Sequence, residues 1–240
     1  MRGYRVENQD LRSGTRNAKL ETRKFRRSFI MKKITIPGQE FTLEGIIALP
    51  EGNGPFPLVV LCHPHPLYGG NMYNNVVHVV CEKLMERKIA WLKFNFRGVG
   101  MSGGSFAGGL GEKEDVKAAI SFGEGQPKVD RKRIGLCGYS FGSMVAFSAA
   151  VEDPRVGAVA GISPFVQPEN LLGTYNKPKL LACGSQDEFI HVESLERLMQ
   201  KIPEPKELAI YPGVDHFWVG EEGPMAERIT KFFVRAFAEE

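Results

Sequence analysis

The sequence contains no apolar run of about 18 residues or more, the length that a helix needs to cross a bilayer. The first 30 residues also lack the apolar central stretch of a signal peptide. We therefore expect a cytoplasmic protein that has no membrane partner.

Cysteine is scarce, with four residues at Cys62, Cys81, Cys137 and Cys183. Most of them lie in strand-like apolar runs, and their spacing matches neither a disulfide framework nor a zinc site. The pair His63 and His65 is interrupted by proline and has no further ligand at a suitable spacing. The sequence therefore predicts buried, reduced cysteines and no metal site.

Charge is unevenly distributed along the chain, whose net charge is +3. Residues 1–30 contain nine lysines and arginines against three acids, so the remainder is mildly acidic. A basic tail without interleaved aromatic residues is typical of a solvated arm and not of a nucleic-acid reader. We predict no nucleic-acid partner and divide the chain into a basic N-terminal extension, 1–30, and one folded domain, 31–240.

Within that domain, apolar strand patterns alternate with helical ones. Such alternation is typical of a mainly parallel sheet that is covered by helices on both faces, and the ligand site then lies at the carboxyl ends of the strands. The predicted strands cover 41–50, 58–62, 90–96, 133–137, 156–162, 179–183 and 207–211, and the predicted helices cover 74–88, 112–122, 143–151, 192–201 and 224–238.

A serine lies at the centre of a glycine-flanked turn, in Gly138-Tyr139-Ser140-Phe141-Gly142. The turn joins a predicted strand to a predicted helix, which is the setting of a nucleophile elbow. A serine hydroxyl is a weak nucleophile unless it stands free of the backbone beside a base, and glycines permit the strained turn that exposes it. The alternative is that Ser140 is an ordinary helix N-cap.

The chain order serine, acid, histidine also matches a hydrolase built around such an elbow. Asp187 follows the predicted strand 179–183, and His216 follows the last strand. A histidine there would act as general base, and the carboxylate would fix its tautomer. The sequence also offers other candidates: Asp215 and Glu188 for the acid, and His78 and His191 for the base.

These ordered motifs resemble the α/β-hydrolase superfamily, from about Ile34 to the C-terminus. More closely, His63-Pro64-His65-Pro66 and the segment 94–102 resemble a bacterial group of small predicted hydrolases related to dienelactone hydrolases. Dienelactone hydrolases proper use a cysteine nucleophile, whereas this chain has Ser140. The resemblance implies an α/β-hydrolase fold with about eight strands flanked by helices, and makes 31–240 the catalytic domain.

The resemblance also implies an oxyanion hole made of two backbone amides. One belongs to Phe141, which follows the nucleophile, and the other lies in the loop after strand 58–62. The prolines of that loop have no N–H, and position by position the family's donor falls on His65. Leu67 and Tyr68 are the fallback donors.

Only 16 residues separate the predicted strands 156–162 and 179–183, where many hydrolases of this fold insert a cap domain. We therefore predict a minimal cap and an open site lined by aromatic side chains. Tyr68, Phe165 and Trp218 are the predicted substrate-binding residues, and Tyr73, Phe106 and Phe189 are also available.

The combined hypothesis is a carboxylesterase-like serine hydrolase. It would cleave short-chain acyl esters through Ser140, His216 and Asp187, by way of an acyl-enzyme, with a small-molecule ester as its partner and no cofactor. The alternatives are a serine peptidase or thioesterase on the same triad, and a non-catalytic binding member of the fold. The sequence leaves the oligomeric state open, with a homodimer as one option.

Overall fold

The computed structural model of the chain describes residues 29–238. Most of the predicted extension 1–30 therefore lies outside the described residues, and its last two residues begin the first strand. In chain order the elements are β1 (Phe29–Pro37), β2 (Thr42–Pro50), β3 (Phe56–Cys62), α1 (Asn75–Glu86), β4 (Ala90–Phe94), α2 (Leu110–Glu124), β5 (Val129–Tyr139), α3 (Phe141–Glu152), β6 (Val156–Ile162), β7 (Lys179–Gly184), α4 (Val192–Lys201), β8 (Lys206–Tyr211) and α5 (Glu222–Ala236).

The eight strands form one sheet in the order β1-β2-β4-β3-β5-β6-β7-β8. Strand β2 pairs antiparallel with β1 and β4, and every other pairing is parallel. The mainly parallel α/β-hydrolase fold is thus confirmed. Because β5 to β8 are parallel, the loops that leave them all open at the same edge of the sheet.

Strand β1 is not among the strands predicted from the sequence. Most of its side chains are exposed, so it lacks the apolar alternation that marks a half-buried strand. It forms because it pairs along its whole length with β2, from Phe29 opposite Pro50 to Pro37 opposite Thr42. Strand β4 ends at Phe94, two residues earlier than predicted, since the Phe96 N–H donates to a histidine ring and not to the sheet.

The core has two halves, one on each face of the sheet. Strand β3 shows why: Leu58 and Val60 pack into one cluster with α2, α3 and α4, while Val59 and Leu61 pack into the other with α1 and α5. This alternation is that of a strand covered on both faces. None of the helices between residues 29 and 238 is long and apolar enough to cross a membrane.

The connection between β6 and β7 is short and carries only a 3-10 turn, Leu171–Thr174. It therefore contains no helical cap, in agreement with the minimal cap that was predicted. The carboxyl edge of the sheet, where the loops after β5, β7 and β8 meet, is left open.

Candidate active site

Ser140 occupies a strained turn between β5 and α3. Its φ of 54° and ψ of −122° lie where non-glycine residues are rare, at a cost of about 1–3 kcal/mol. The turn is fixed by the Ser140 N–H, which donates to Ile162 O at 2.8 Å, and by the Ser143 N–H, which donates to Ser140 O at 2.9 Å. The Ser140 side chain makes no capping hydrogen bond to α3, so it does not act as an ordinary N-cap.

The two glycines of the turn permit close packing around it. A Cβ on Gly138 would overlap the carbonyl group of Gly142, and a Cβ on Gly142 would overlap the carbonyl oxygens of Cys62 and His63. Helix α3 therefore packs directly on β5. The loop that follows β3 lies against the start of α3, beside Ser140.

The structure brings Ser140, His216 and Asp187 together from three loops. His216 Nε2 lies 3.0 Å from Ser140 Oγ, and His216 Nδ1 lies 2.9 Å from each carboxylate oxygen of Asp187. A carboxylate only accepts, so Nδ1 carries the proton and Nε2 is left to accept from the serine hydroxyl. All three residues are buried: 7% of Ser140, 7% of His216 and 6% of Asp187 is exposed to solvent.

The carboxylate of Asp187 is held in its charged form. Its Oδ1 accepts from the backbone N–H groups of Phe189 and Ile190, each at 3.0 Å. Burial acts to raise the pKa of Asp187, but the hydrogen bonds from His216 and from the Phe189 N–H oppose it, and the pKa lies below its usual value. Asp187 is therefore an anion at neutral pH, able to stabilise an imidazolium.

The loop that carries His216 is tied to the sheet at its backbone. The hydroxyl of Tyr139 donates to His216 O at 2.8 Å. Asp215 Oδ1 accepts from the N–H groups of Phe217 at 2.9 Å and Trp218 at 3.1 Å. Asp215, an alternative acid, is thus used to cap this loop and does not bond the imidazole.

The other alternative candidates lie elsewhere. His78 is on the exposed face of α1, where Nε2 lies 3.4 Å from a carboxylate oxygen of Glu82. Glu188 and His191 are exposed beside α4. Within residues 29–238, none of them forms a side-chain hydrogen bond with Ser140 or His216.

Two backbone amides next to Ser140 are available as donors. Neither the N–H of His65 nor that of Phe141 donates to another residue in the described part of the chain, and their rings lie 4.8 Å apart. The fallback donors are occupied, because the Leu67 N–H donates to His65 Nδ1 and the Tyr68 N–H donates to His65 O. The geometry thus favours His65 over Leu67 and Tyr68.

His63 holds the same loop from inside. Its Nε2 accepts from the Phe96 N–H at 3.1 Å, and its Nδ1 donates to Pro64 O at 2.6 Å. Burial lowers the pKa of His63 to about 4, so the ring is neutral at neutral pH. With both nitrogens used by the backbone, His63 has a structural role and is not placed as a metal ligand.

The predicted substrate-binding residues fall into two groups. Tyr68 is 87% exposed and its ring lies tilted against that of His65, with the ring centroids 4.7 Å apart. The Phe165 ring lies 6.4 Å from that of His216. Both can meet a substrate. Trp218 has no exposed surface, and its indole N–H donates to Ser163 Oγ at 2.9 Å. Trp218 therefore belongs to the scaffold and not to the wall of the site, which corrects the assignment made from the sequence.

Other rings take the place that was assigned to Trp218. The rings of Phe189 and Phe217 are half exposed and lie 4.8 and 5.7 Å from the His216 ring. Phe217 was missed, although its position directly after His216 is a usable signal.

A separate cavity lies away from this site. It encloses about 680 Å³ between the β1–β2 turn and α2, against Phe41, Arg97 and Phe122. None of the predicted site residues lines it. The candidate site is an open edge, not an enclosed chamber.

Comparison with known proteins identifies the family. The model of the family described as "Dienelactone hydrolase family" matches residues 110–231, just over half of the chain, including Ser140 and Asp187. The chain belongs to the dienelactone hydrolase family.

Two similar proteins each match more than four fifths of this chain. Uncharacterized protein RP471 of Rickettsia prowazekii is 30% identical over 85% of this chain and 89% of its own length. The structure of an alpha-beta serine hydrolase homologue from Coxiella burnetii is 32% identical, with a TM-score of 0.75, over 83% of this chain and 96% of that one.

Two relatives with named activities match over a shorter region. Esterase FrsA of Escherichia coli is 31% identical over 56% of this chain and 31% of its own length. Thiohydrolase apmlB of Arthrinium phaeospermum is 32% identical over 56% of this chain and 45% of its own length. The chain thus spans less than half of either protein.

Proposed function

We propose that this member of the dienelactone hydrolase family is a serine hydrolase that cleaves carboxylic esters with short acyl chains. The observation that carries the proposal is the 3.0 Å separation of Ser140 Oγ and His216 Nε2, with Asp187 bonded to the other ring nitrogen. This arrangement supplies a nucleophile, a general base and a carboxylate that orients the base.

Acylation begins when His216 Nε2 takes the proton of the Ser140 hydroxyl as its oxygen attacks the ester carbonyl carbon. Asp187 holds the Nδ1 proton and stabilises the imidazolium. The N–H groups of His65 and Phe141 stabilise the oxyanion, and a single donor of this kind contributes roughly 3 kcal/mol to the transition state. His216 then gives its proton to the leaving alkoxide, and the alcohol departs.

Deacylation reverses the roles. A water molecule loses a proton to His216 Nε2 and attacks the acyl-enzyme carbonyl, and the imidazolium returns the proton to Ser140 Oγ as the acid leaves. No step in this scheme requires a metal ion or an organic cofactor.

Exposed apolar side chains at the edge of the sheet where Ser140 lies favour a substrate with apolar substituents. Seven large apolar side chains are exposed on the loops that leave β3, β4, β7 and β8, the edge at which Ser140 lies: Leu67, Tyr68, Tyr73, Met101, Phe189, Phe217 and Val219. The short β6–β7 connection offers no wall that would enclose a long chain. A short acyl group fits such a shallow site best.

A thioesterase is the second candidate, and the similarity to thiohydrolase apmlB favours it. The same residues would act, with a thiolate as leaving group in place of an alkoxide. The peptidase alternative has no comparable support among these relatives. The geometry at Ser140 argues against a purely binding role, because a binding module needs no serine aligned with a histidine and a carboxylate.

A substrate panel tests the proposal. We expect turnover to be highest with p-nitrophenyl acetate and butyrate, lower with the octanoate, and negligible with peptide p-nitroanilides. A series of acyl thioesters of equal chain length separates the two candidates. A higher kcat/KM on thioesters than on esters would identify the protein as a thioesterase. No turnover of either series would reject both candidate functions.

A further inference from the structure

The imidazole of His63 holds the peptide group that carries one of the two oxyanion donors. His63 follows β3 directly and is 1% exposed. Its Nε2 lies 3.1 Å from the Phe96 nitrogen, and its Nδ1 lies 2.6 Å from Pro64 O. Pro64 O and the His65 N–H are the two polar ends of a single peptide group. A side chain that fixes one end therefore also fixes the other.

The two backbone partners of the ring determine where its proton lies. The Phe96 N–H is only a donor, so Nε2 accepts and the ring proton is on Nδ1. A carbonyl oxygen is only an acceptor, so that proton is donated to Pro64 O. Burial lowers the pKa of His63 to about 4, which leaves Nε2 unprotonated and able to accept at neutral pH.

No other hydrogen bond orients this peptide group in the part of the chain that the structure describes. Within residues 29–238, Pro64 O accepts only from His63, and the His65 N–H donates to no other residue. The N–H groups of Tyr68 and Gly70 donate to His65 O, which belongs to the next peptide group along the chain. The orientation of the His65 N–H therefore depends on the His63 ring.

The geometry of the peptide group turns the His65 N–H toward the open edge of the sheet. The bond between Pro64 and His65 is trans, and in a planar trans peptide the C=O and the N–H point in opposite directions. Because the carbonyl group points at a buried ring, the N–H points away from the interior. The His65 ring lies 4.8 Å from that of Phe141, so this N–H lies beside the turn that carries Ser140.

We propose that His63 is a positioning residue, which holds Pro64 O so that the His65 N–H faces the oxyanion formed when Ser140 attacks. The proposal rests on the proposed serine-hydrolase activity and explains how its oxyanion hole is oriented. His63 acts through the amide of His65 and touches no substrate. Its loss should lower kcat and leave KM unchanged, because the oxyanion is absent from the bound substrate.

Two amide variants separate the two hydrogen bonds of the ring. His63→Asn places an N–H near the position of Nδ1, where it can donate to Pro64 O, but leaves the Phe96 N–H without an acceptor. His63→Gln places an oxygen near the position of Nε2, where it accepts from Phe96, but leaves Pro64 O without a donor. We expect His63→Gln to lower kcat on p-nitrophenyl acetate about tenfold or more, and His63→Asn to keep kcat within about threefold of the wild type.

A double-mutant cycle with His65→Pro tests whether the effect is exerted through the amide at position 65. His65→Pro deletes that N–H, so His63→Gln added to it should alter kcat less than about twofold. An equal loss in both backgrounds would overturn the positioning role, and so would wild-type kcat in His63→Gln. Equal losses in His63→Asn and His63→Gln would also overturn it, because the effect would then not depend on the donor to Pro64 O.

Controls separate this role from folding and from the proposed function. Each kcat is divided by the number of sites that a fluorophosphonate labels at completion, so unfolded chains are not counted. The rate of that labelling does not depend on substrate preference and should also fall in His63→Gln. His78→Gln makes the same change on the exposed face of α1 and should leave kcat and the labelling rate unchanged. Activity that survives Ser140→Ala would instead overturn the proposed function.

Discussion

His216 Nε2 lies 3.0 Å from Ser140 Oγ, although 76 residues separate them in the chain. The approach follows from the sheet. Strands β5 and β8 are parallel and separated by only two others, so their following loops open at one edge. The imidazole reaches back across this edge because Tyr139, the neighbour of Ser140, bonds the carbonyl group of His216.

The backbone amide at position 65 can be removed by substitution. His65 has a φ of −55° and a ψ of 122°, which proline adopts without strain, so His65→Pro deletes the N–H and keeps the backbone path. We expect kcat to fall about a hundredfold, the usual cost of one oxyanion donor. His65→Ala keeps the N–H, so its kcat should fall much less than that of His65→Pro. Similar kinetics for the two variants would show that this amide is not a donor to the oxyanion.

Removal of the negative charge should have very different effects on kcat at the neighbouring positions 187 and 188. Asp187→Asn removes the charge that faces His216 Nδ1, and we expect kcat to fall by about 10³ to 10⁴ with little change in KM. Glu188→Gln alters an exposed neighbour on the same loop and should keep kcat within about twofold. The kcat of each variant is measured by steady-state kinetics on p-nitrophenyl acetate. A larger loss of kcat in Glu188→Gln than in Asp187→Asn would make Glu188, and not Asp187, the acid of the triad.

His63 should make stability depend on pH. Its folded pKa is about 4, below the ordinary value of 6.5, so the unfolded chain binds this proton first as pH falls. The stability that the neutral ring provides is complete above about pH 6.5 and is lost as pH falls toward 4, with about 2 kcal/mol gone at pH 5.

Urea unfolding at pH 7 and pH 5 measures this effect. We expect the wild-type protein to lose about 2 kcal/mol more than His63→Gln over that interval, since glutamine does not titrate. Parallel pH dependences in the two proteins would contradict a buried, neutral His63.

Trp218 and Phe189 are aromatic residues near His216 with different expected roles. Trp218→Ala empties a fully buried position and should lower the free energy of unfolding by about 3–5 kcal/mol. Phe189→Ala removes a half-exposed ring and should lower stability by less than about 1 kcal/mol, while it raises KM for p-nitrophenyl butyrate. Unchanged KM in Phe189→Ala would remove that ring from the substrate site.

The contrast between these two aromatic residues shows what the sequence can and cannot predict. The strand–turn–helix pattern places Ser140, and parallel strands bring the loops of Asp187 and His216 to the same edge, so these positions follow from local pattern and topology. Whether the ring of Trp218 turns inward depends on a hydrogen bond to Ser163, 55 residues away. No local pattern encodes that partner.

Strand β1 illustrates the same limit at the level of the fold. Its side chains carry little apolar alternation, and it exists because β2 supplies a partner for its backbone. The oxyanion donor at His65 is an intermediate case. The sequence alone excludes Pro64 and Pro66 as oxyanion donors, because proline has no N–H. Only the structure shows that the N–H groups of Leu67 and Tyr68 already donate to other atoms.

The most direct measurement of the central claim is covalent labelling by a fluorophosphonate, read by intact-mass and peptide mass spectrometry. We predict one adduct per chain, on Ser140, that is absent in Ser140→Ala and forms at least a hundredfold more slowly in His216→Gln. Ser148→Ala should label at the wild-type rate. Labelling of Ser140→Ala at the wild-type rate, or no labelling of the folded wild-type protein, would contradict an activated serine at this turn.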